Sequence, residues 1–206
     1  RVMLLRNEKP TGFTKAANRG FRASTADFVV ILNSDTLVPR GCFERLRATL
    51  ESVPGAGLVG PLSNAASYQS IPRQEPTLEE QLQGQTPVNH LPTHLTIESL
   101  NTLLQAHLPN RFLRVPSLHG FCMGIRRQVF NSVGFLDEEA FPEGYGEEDD
   151  FCVRAVNAGW SCVVALDTYV WHFKSGSYTS ERRQRLVKRG REAFIQRHGA
   201  LRRQNI

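Results

Sequence analysis

The chain of 206 residues is 40% hydrophobic and 22% charged, a composition typical of a globular protein with one sizeable core. No apolar run is long enough for a membrane span and no signal peptide is recognisable, so a membrane-spanning protein is not indicated. The net charge is +5, and residues 181–206 alone carry nine Arg or Lys against two Glu. The charge therefore raises the question of an anionic partner for that segment.

The first part of the chain alternates strand-like and helical patterns. Residues 1–7 and 26–33 are apolar runs that predict strands, and residues 11–24 between them have helical composition. A second helical pattern at 40–52 leads to a short strand at 57–61. Strand, helix and strand in this order predict an α/β fold with parallel connections. Because the first run starts at residue 1 without an initiator methionine, we expect a fragment of a longer protein.

Residues 63–116 interrupt this rhythm. The segment holds six of the eleven prolines, and only residues 95–108 have a firm helical pattern. Irregular insertions of this length are more often functional than idle, so we interpret the segment as a lid that faces the substrate. An excursion without a role is the alternative.

Regular patterns return after residue 116. The predicted elements are a strand at 118–125, a short helix at 126–134, a helix at 147–159 that ends at Gly159, and strands at 160–166 and 168–173.

The four cysteines form no CxxC pair and lie inside apolar or periodic segments: Cys42, Cys122, Cys152 and Cys162. This pattern predicts buried, reduced thiols in a cytosolic protein. The even number leaves a disulfide pairing as the alternative.

Asp35 is the first candidate for chemistry, because it lies just past the predicted strand at 26–33, where open α/β sheets bind ligands. Its carboxylate could hold a divalent cation, which in turn could hold phosphate oxygens. An aspartate that only caps a turn is slightly favoured by the strand-end position alone.

Four consecutive carboxylates at 147–150 open a predicted helix after a GYG turn. The helix dipole favours one or two carboxylates there, but four repel one another and raise the proton affinity of at least one. Such a group is a candidate general base, and Glu147 and Glu148 are the better placed to face a substrate. Asp150 is expected to pair with Arg154 one turn later. A solvated acidic helix start is the alternative.

His172 ends a predicted strand and enters a loop with Lys174, Ser175 and Ser177. Imidazole could bind a metal, and a lysine with hydroxyl groups could hold phosphate. A single histidine at a strand end is more often structural, so the pattern is weak by itself.

Residues 180–206 predict a basic C-terminal helix. A solvated face is favoured over attraction to a membrane surface, because Leu186, Arg189 and Phe194 do not form a clean amphipathic stripe. Nucleic-acid binding would need aromatic residues between the arginines, and Phe194 alone does not supply them. We therefore expect no nucleic-acid partner.

Five segments in this order resemble the family 2 glycosyltransferases of the GT-A fold: residues 6–24, 28–46, 60–72, 119–160 and 168–177. The resemblance implies an α/β, Rossmann-like, mostly parallel sheet flanked by helices, in one domain over 1–206 that is incomplete at its N-terminus and carries 63–116 as an insertion. It implies an inverting, metal-dependent transfer of a sugar from a nucleotide-diphosphate sugar to a hydroxyl of a glycan or lipid-linked acceptor.

The resemblance also assigns the donor site. Asp35 matches the last aspartate of the DxD-type motif, which binds Mg²⁺ or Mn²⁺ on the donor's diphosphate. Asn33 stands where many members have the first aspartate, so a thinner metal shell is expected. His172 matches a histidine that completes the metal or diphosphate site in some relatives, and Lys174 would support the same charge.

The catalytic base follows from the same resemblance. Glu148 matches the base of the family's ED-type motif, with Glu147 immediately beside it. Lys15 and Asn18 fall in the segment that usually lines the nucleotide.

Two departures keep a second function open. The first strand-helix-strand portion of the family, which holds the nucleotide base, is not recognisable, and Asn33 replaces the first aspartate of the DxD-type motif. A catalytically inactive glycan- or protein-binding module of the same fold is therefore the alternative, which the intact carboxylate run at 147–150 and Asp35 disfavour. The family's members imply a role in the synthesis of bacterial cell-surface polysaccharides. The protein would then act in the cytoplasm, at the inner face of the plasma membrane.

Overall fold

The computed structural model describes residues 2–82, 85–174 and 179–200. Its helices are α1 (Phe13–Ala23), α2 (Cys42–Ser52), α3 (Leu78–Leu82), α4 (Ile97–His107), α5 (Arg127–Val133), α6 (Glu147–Asn157) and α7 (Ser180–His198). Its strands are β1 (Phe28–Leu32), β2 (Thr36–Leu37), β3 (Ala56–Ser63), β4 (Phe112–Val115), β5 (Cys122–Arg126) and β6 (Ser161–His172).

The strands form one central sheet in the order β1-β5-β3-β6-β2, with β4 also paired to β6. β6 is 12 residues long and pairs parallel with β3 and antiparallel with both β4 and β2. β3 is buried at each of its 8 positions. Such a strand is covered on both faces, which is the α/β arrangement that the alternating pattern predicts.

The sheet is mixed, which corrects the expectation of a mostly parallel sheet. Among the pairings between described strands, only β3–β6 is parallel. β1 and β3 do run in the same direction, but β5 lies between them and is antiparallel to both. The order of elements along the chain predicts strand direction, whereas long-range packing decides which strands become neighbours.

Helices cover both faces of this sheet. The neighbouring residues Val163 and Val164 of β6 belong to two different cores, because successive side chains of a strand point to opposite faces. One core packs α2 against the sheet, and the other joins α1, α5 and α6 through the rings of Phe21, Phe130 and Phe151. The helices predicted at 11–24, 40–52, 95–108, 126–134 and 147–159 are confirmed.

The segment at 63–116 contributes to the core. Besides α4 it contains α3 and β4, and α4 packs on β6. The side chain of Asn101, 3% exposed, donates to the carbonyl of Tyr169 and accepts from its backbone N–H, each at 2.9 Å. The segment is therefore tied to the sheet, and its role as a lid stays a prediction.

Two strand predictions differ from the structure. Residues 2–6 form no strand and most of their side chains are exposed, because no strand of the described residues pairs with them. The strands predicted at 160–166 and 168–173 are one strand, β6, in which a register shift against β3 absorbs the irregular residues 166–168.

The C-terminal helix is confirmed as α7, whose exposed residues include Arg185, Lys188, Arg189 and Arg191. Residues 201–206 of the predicted basic helix, and Ser175 and Ser177, lie outside the described residues. Within the three described ranges, no helix combines the length and the apolarity needed to cross a bilayer.

All four cysteines are buried free thiols, as predicted. A hydrogen bond with Cys42, together with burial, raises the pKa of Cys122, and Cys162 and burial do the same for Cys152. Buried thiols with raised pKa values are poor nucleophiles, so these cysteines are structural.

We expect Asn101→Ala to lower the free energy of unfolding by roughly 2–4 kcal/mol, since it leaves the buried backbone N–H and carbonyl of Tyr169 without these partners. Urea denaturation followed by circular dichroism measures this. The control is Thr102→Ala on the same helix, whose exposed hydroxyl donates to the Glu98 carbonyl of that helix. Equal stabilities of the two variants would contradict the anchoring role.

Candidate active site

Three polar side chains meet where β1 and β6 end. Asn33 and Asp35 follow β1, and His172 is the last residue of β6. Nε2 of His172 lies 3.4 Å from Oδ1 of Asp35 and 3.4 Å from Nδ2 of Asn33. The antiparallel pairing of Thr36 with His172 brings these distant parts of the sequence together.

The imidazole of His172 is held from two sides. The Asn64 side chain donates to the backbone carbonyl of His172 at 2.9 Å and accepts from its N–H at 2.8 Å. The ring stacks on Phe121, with 5.1 Å between centroids and 16° between planes. His172 is 3% exposed, so it is a fixed element of the site.

A second pair of groups, Lys174 and His119, lies beside this cluster. Nζ of Lys174 is 3.4 Å from Nε2 of His119, and the rings of His119 and His172 are 5.9 Å apart. Burial lowers the pKa of Lys174, and the charges of Glu148 and Asp35 oppose that shift. The lysine therefore stands within electrostatic reach of both carboxylates.

The two glutamates that open α6 pack against different glycines, although their carboxyl groups are close enough to interact with each other. A Cβ added to Gly120, the residue after His119, would stand 3.5 Å from Cβ of Glu148. Both carboxylate oxygens of Glu147 instead lie 3.7–3.8 Å from where a Cβ of Gly144 would be. Glu148 therefore lies on the side of Lys174, and Glu147 packs against the GYG turn.

Burial raises the pKa of Glu147 well above its ordinary range, and the charges of Glu148 and Asp149 raise it further. Burial and the charge of Lys174 lower the pKa of His172, and the charge of Asp35 partly opposes this shift. Burial and the charge of Lys174 also lower the pKa of His119, and there the shift is strong. Both histidines are consequently neutral near pH 7, the form in which imidazole binds a metal.

One carboxylate oxygen of Glu148 and one of Glu147 are buried and find no hydrogen-bond partner among the described residues. A carboxylate oxygen in that position is available to a substrate hydroxyl. Asp150, by contrast, is fully buried and bonds to Arg154 at 2.7 Å, which confirms the predicted i,i+4 pair. The acidic run thus divides into a structural part and a part that faces the site.

Lys15 and Asn18 lie on α1, in a different setting. Lys15 is exposed. The Asn18 side chain is fully buried and bonds to the backbone of Leu136 in both directions and to Glu138. These bonds join α1 to the loop at 136–138. They do not support the prediction that Asn18 lines the nucleotide.

Asp35 and His172 fit a cation that shares its ligands with a substrate. In the part of the chain that the structure describes, no three His, Cys, Asp or Glu side chains are grouped as a metal site. Metal ligand bonds of about 2.1 Å would allow one ion to touch both groups across their 3.4 Å separation. Mg²⁺ is commonly held by one or two carboxylates plus phosphate oxygens, so the pair fits a diphosphate-bound ion and does not fit a metal held by the protein alone.

The sequence interpretation missed Asn64, which holds His172 in place. His119, the neighbour of Lys174, belongs to the segment at 119–122, which the family resemblance implies would shape the acceptor pocket. Both stand in segments that carry the family resemblance. Asn64 directly follows β3, so a search of polar residues at strand ends would have found it.

Comparisons with known proteins show which family and which fold this chain resembles. The family model "Glycosyltransferase like family 2" matches residues 1–192. An N-acetylglucosaminyl-diphospho-decaprenol L-rhamnosyltransferase of Mycobacterium tuberculosis is 28% identical over 172 residues, which are 82% of this chain and 54% of that protein. The chain thus spans about half the length of the curated relatives that it matches.

Solved glycosyltransferases share the fold. GalNAc-T7, crystallised with UDP, GalNAc and Mn²⁺, superposes with a TM-score of 0.56 at 14% identity, over 89% of this chain and 36% of that chain. A mannosyltransferase from Pyrobaculum calidifontis, in complex with GDP-Man and Mn²⁺, gives 0.52 at 14% identity, over 89% and 43%. Both are GT-A enzymes, and the predicted fold class is confirmed.

We expect Glu147→Gln to stabilise the protein at neutral pH. The raised pKa of Glu147 means that the folded state keeps a proton that the unfolded state loses above about pH 4.5, so wild-type stability falls as pH rises toward the folded pKa. Gln mimics the protonated group and avoids this loss, whose slope is at most about 1.4 kcal/mol per pH unit.

Urea denaturation from about pH 5 to pH 8 measures the effect. The control is Glu139→Gln, an exposed glutamate in the loop before α6, which should change stability little at any pH. A Glu147→Gln advantage that stays constant across this range would be evidence against a protonated, buried Glu147.

Proposed function

Because this chain belongs to the glycosyltransferase-like family 2, we propose that it carries the metal-dependent, inverting transfer centre of a sugar transferase. The donor would be a nucleotide-diphosphate sugar and the acceptor a hydroxyl of a glycan or lipid-linked glycan. The supporting observation is that Asp35, His172, Lys174 and Glu148 converge at one end of the sheet although they come from three distant parts of the sequence.

Asp35, His172 and Lys174 would form the diphosphate side of the centre. A Mg²⁺ or Mn²⁺ ion held by Asp35 and His172 would offset the negative charge that develops on the leaving diphosphate. Lys174 adds a positive charge in a partly buried place, where its interaction with phosphate oxygens is stronger than in water. Nδ2 of Asn33 lies 3.4 Å from Nε2 of His172, so Asn33 also stands beside the place proposed for the ion.

Glu148 would act as the general base. It would accept the proton of the acceptor hydroxyl while that oxygen bonds to the anomeric carbon, from the face opposite the bond to the diphosphate. The breaking of that bond transfers its electron pair to the diphosphate, and the single displacement inverts the anomeric configuration. The buried oxygen of Glu148 without a described partner, and the electrostatic interaction of Glu148 with Lys174, support this role.

The acceptor class rests on the relative's chemistry. The mycobacterial relative is named for transfer of L-rhamnose to a diphospho-decaprenol-linked N-acetylglucosamine. For this chain we infer an acceptor of the same general kind, a lipid-linked intermediate of a cell-surface polysaccharide, used at the cytoplasmic face of the membrane. Such a hydroxyl would lie beside Gly120, where an added Cβ would stand 3.5 Å from Cβ of Glu148.

The alternative, an inactive binding module, is weaker on one observation. A module that only recognises a glycan has no need to hold Asp35, His172 and Lys174 close together, because buried polar and charged groups cost free energy. A catalytic role of these residues explains that cost in free energy.

We expect Asp35→Asn and Glu148→Gln to fail in different ways. Asp35→Asn should weaken Mn²⁺-dependent binding of UDP or dTDP by about tenfold or more, because a cation ligand is lost. Glu148→Gln should keep that binding within about twofold and lower transfer by about 10²–10⁴-fold. Calorimetric titration with and without Mn²⁺, and transfer assays with UDP- and dTDP-sugars, measure the two effects.

Asp27→Asn is the control, since Asp27 is exposed in the turn before β1. Full transfer by Glu148→Gln would remove Glu148 as the base. Nucleotide binding by wild-type protein without any transfer to an acceptor would favour the binding module.

A further inference from the structure

The turn that leads into α6 has a backbone that needs support from outside. Gly144, Tyr145 and Gly146 have φ values of 104°, 69° and 120°, so three consecutive residues occupy the positive-φ region. For Tyr145 this conformation is unfavourable, because its Cβ crowds the backbone. Strained conformations persist where the surrounding structure holds them.

Helix α7 packs directly on this turn through Gly190. A Cβ at Gly190 would stand 1.8 Å from the carbonyl oxygen of Tyr145, far inside van der Waals contact. From the other side, a Cβ at Gly146 would lie 3.7 Å from the carbonyl oxygen of Gly190 and 2.9 Å from Phe141. The helix and the turn therefore touch backbone to backbone, and only glycine at position 190 permits this approach.

The end of α7 also makes polar contacts with the first turn of α6. Nε2 of His198 lies 2.8 Å from Oδ1 of Asp150, and Nε of Arg197 lies 3.5 Å from the same oxygen. Asp150 is fully buried, and its other oxygen bonds to Arg154. Asp150 stands two residues after Glu148, so this contact fixes the turn of helix that carries the proposed base.

Two further contacts make the attachment continuous. Arg182, in the first turn of α7, pairs with Glu143 before the turn, and Arg197 pairs with Asp137. Between them Phe194 of α7 packs with Phe141 and Val153 in a small core of its own. The two ion pairs, with the apolar cluster between them, hold α7 against residues 137–150.

We propose that α7 is a positioning element of the transfer centre, which holds the GYG turn and the start of α6 so that Glu148 faces Lys174. The close approach at Gly190 is the critical contact. On the diphosphate side, His172 at the end of β6 has its own supports in Asn64 and Phe121. The inference rests on the proposed function only in taking Glu148 as the base.

The test compares Gly190→Ala with Gly20→Ala. Both glycines lie inside helices, but a Cβ at Gly20 would meet nothing within 4 Å. Alanine normally stabilises a helix relative to glycine, so Gly20→Ala controls for the change in helix propensity. Gly190→Ala must push apart α7 and the turn.

Hydrogen exchange read by mass spectrometry gives the structural result. We expect amides at 144–150 to exchange about tenfold faster or more in Gly190→Ala than in Gly20→Ala, with β3 and β6 unchanged. Equal rates at 144–150 in the two variants would overturn the proposal. Faster exchange spread equally over the whole sheet would overturn it too, because that is general destabilisation.

Kinetics separate positioning from folding. Gly190→Ala should lower kcat for transfer by about tenfold or more, while the Kd for UDP or dTDP with Mn²⁺ stays within about twofold. Parallel losses of kcat and of nucleotide binding would speak against a specific effect on Glu148. If wild-type protein transfers no sugar, the proposed function fails, and the exchange data alone decide whether α7 holds the turn.

A second variant covers the case in which Gly190→Ala does not fold. His198→Ala removes the 2.8 Å contact to Asp150, and His107→Ala, an exposed histidine near the end of α4, is its control. Faster exchange at 147–150 in His198→Ala only would support the proposal. No difference between these two histidine variants would count against it.

Discussion

The pairing of β6 with three other strands is the constraint on which the site depends. β6 runs parallel to β3 along one edge and accepts β4 and then β2 along the other. Its last residue, His172, is thereby placed against Asp35, and the loop after it begins at the same end of the sheet. Asn64 at the end of β3 completes the arrangement, since it bonds to both backbone groups of His172. A continuous strand in the middle of the sheet thus carries the diphosphate side of the site.

The charges of the site are organised around Lys174. It lies against His119, and the negative charges of Asp35 and Glu148 act on it from two sides. Its positive charge helps to keep both histidines neutral, which suits metal binding by His172. A cation and a diphosphate would therefore enter a region in which the protein already holds opposite charges near each other at a fixed geometry. Charged groups that are already in position stabilise the negative charge that develops on a leaving group, and this is usually the largest single contribution to catalysis.

The acidic run at the start of α6 combines support and chemistry. Asp150 is bound by Arg154 and by α7 and serves the structure. Glu147 is buried against the GYG turn, and its carboxyl group also interacts with that of Glu148. Glu148, the proposed base, lies beside Gly120, and its charge acts on Lys174. The arginines of the basic helix α7 first suggested an anionic partner. One of them, Arg197, contacts the carboxylates of Asp137 and Asp150 within the protein.

The sequence by itself determined most of the local structure and the identity of the candidate groups. Apolar runs and helical periodicity predicted α1, α2, α4, α5 and α6, and the residue types of Asp35, Glu148 and His172 marked them as candidates. Only the tertiary structure decided that β5 lies between β1 and β3, because sheet neighbours depend on contacts far apart in the chain. It likewise decided that Asn18 bonds to the loop at 136–138, that His119 meets Lys174, and that Gly190 touches Tyr145. Periodicity reports which face of an element is apolar, whereas these contacts depend on where complete elements come to lie, which no local pattern encodes.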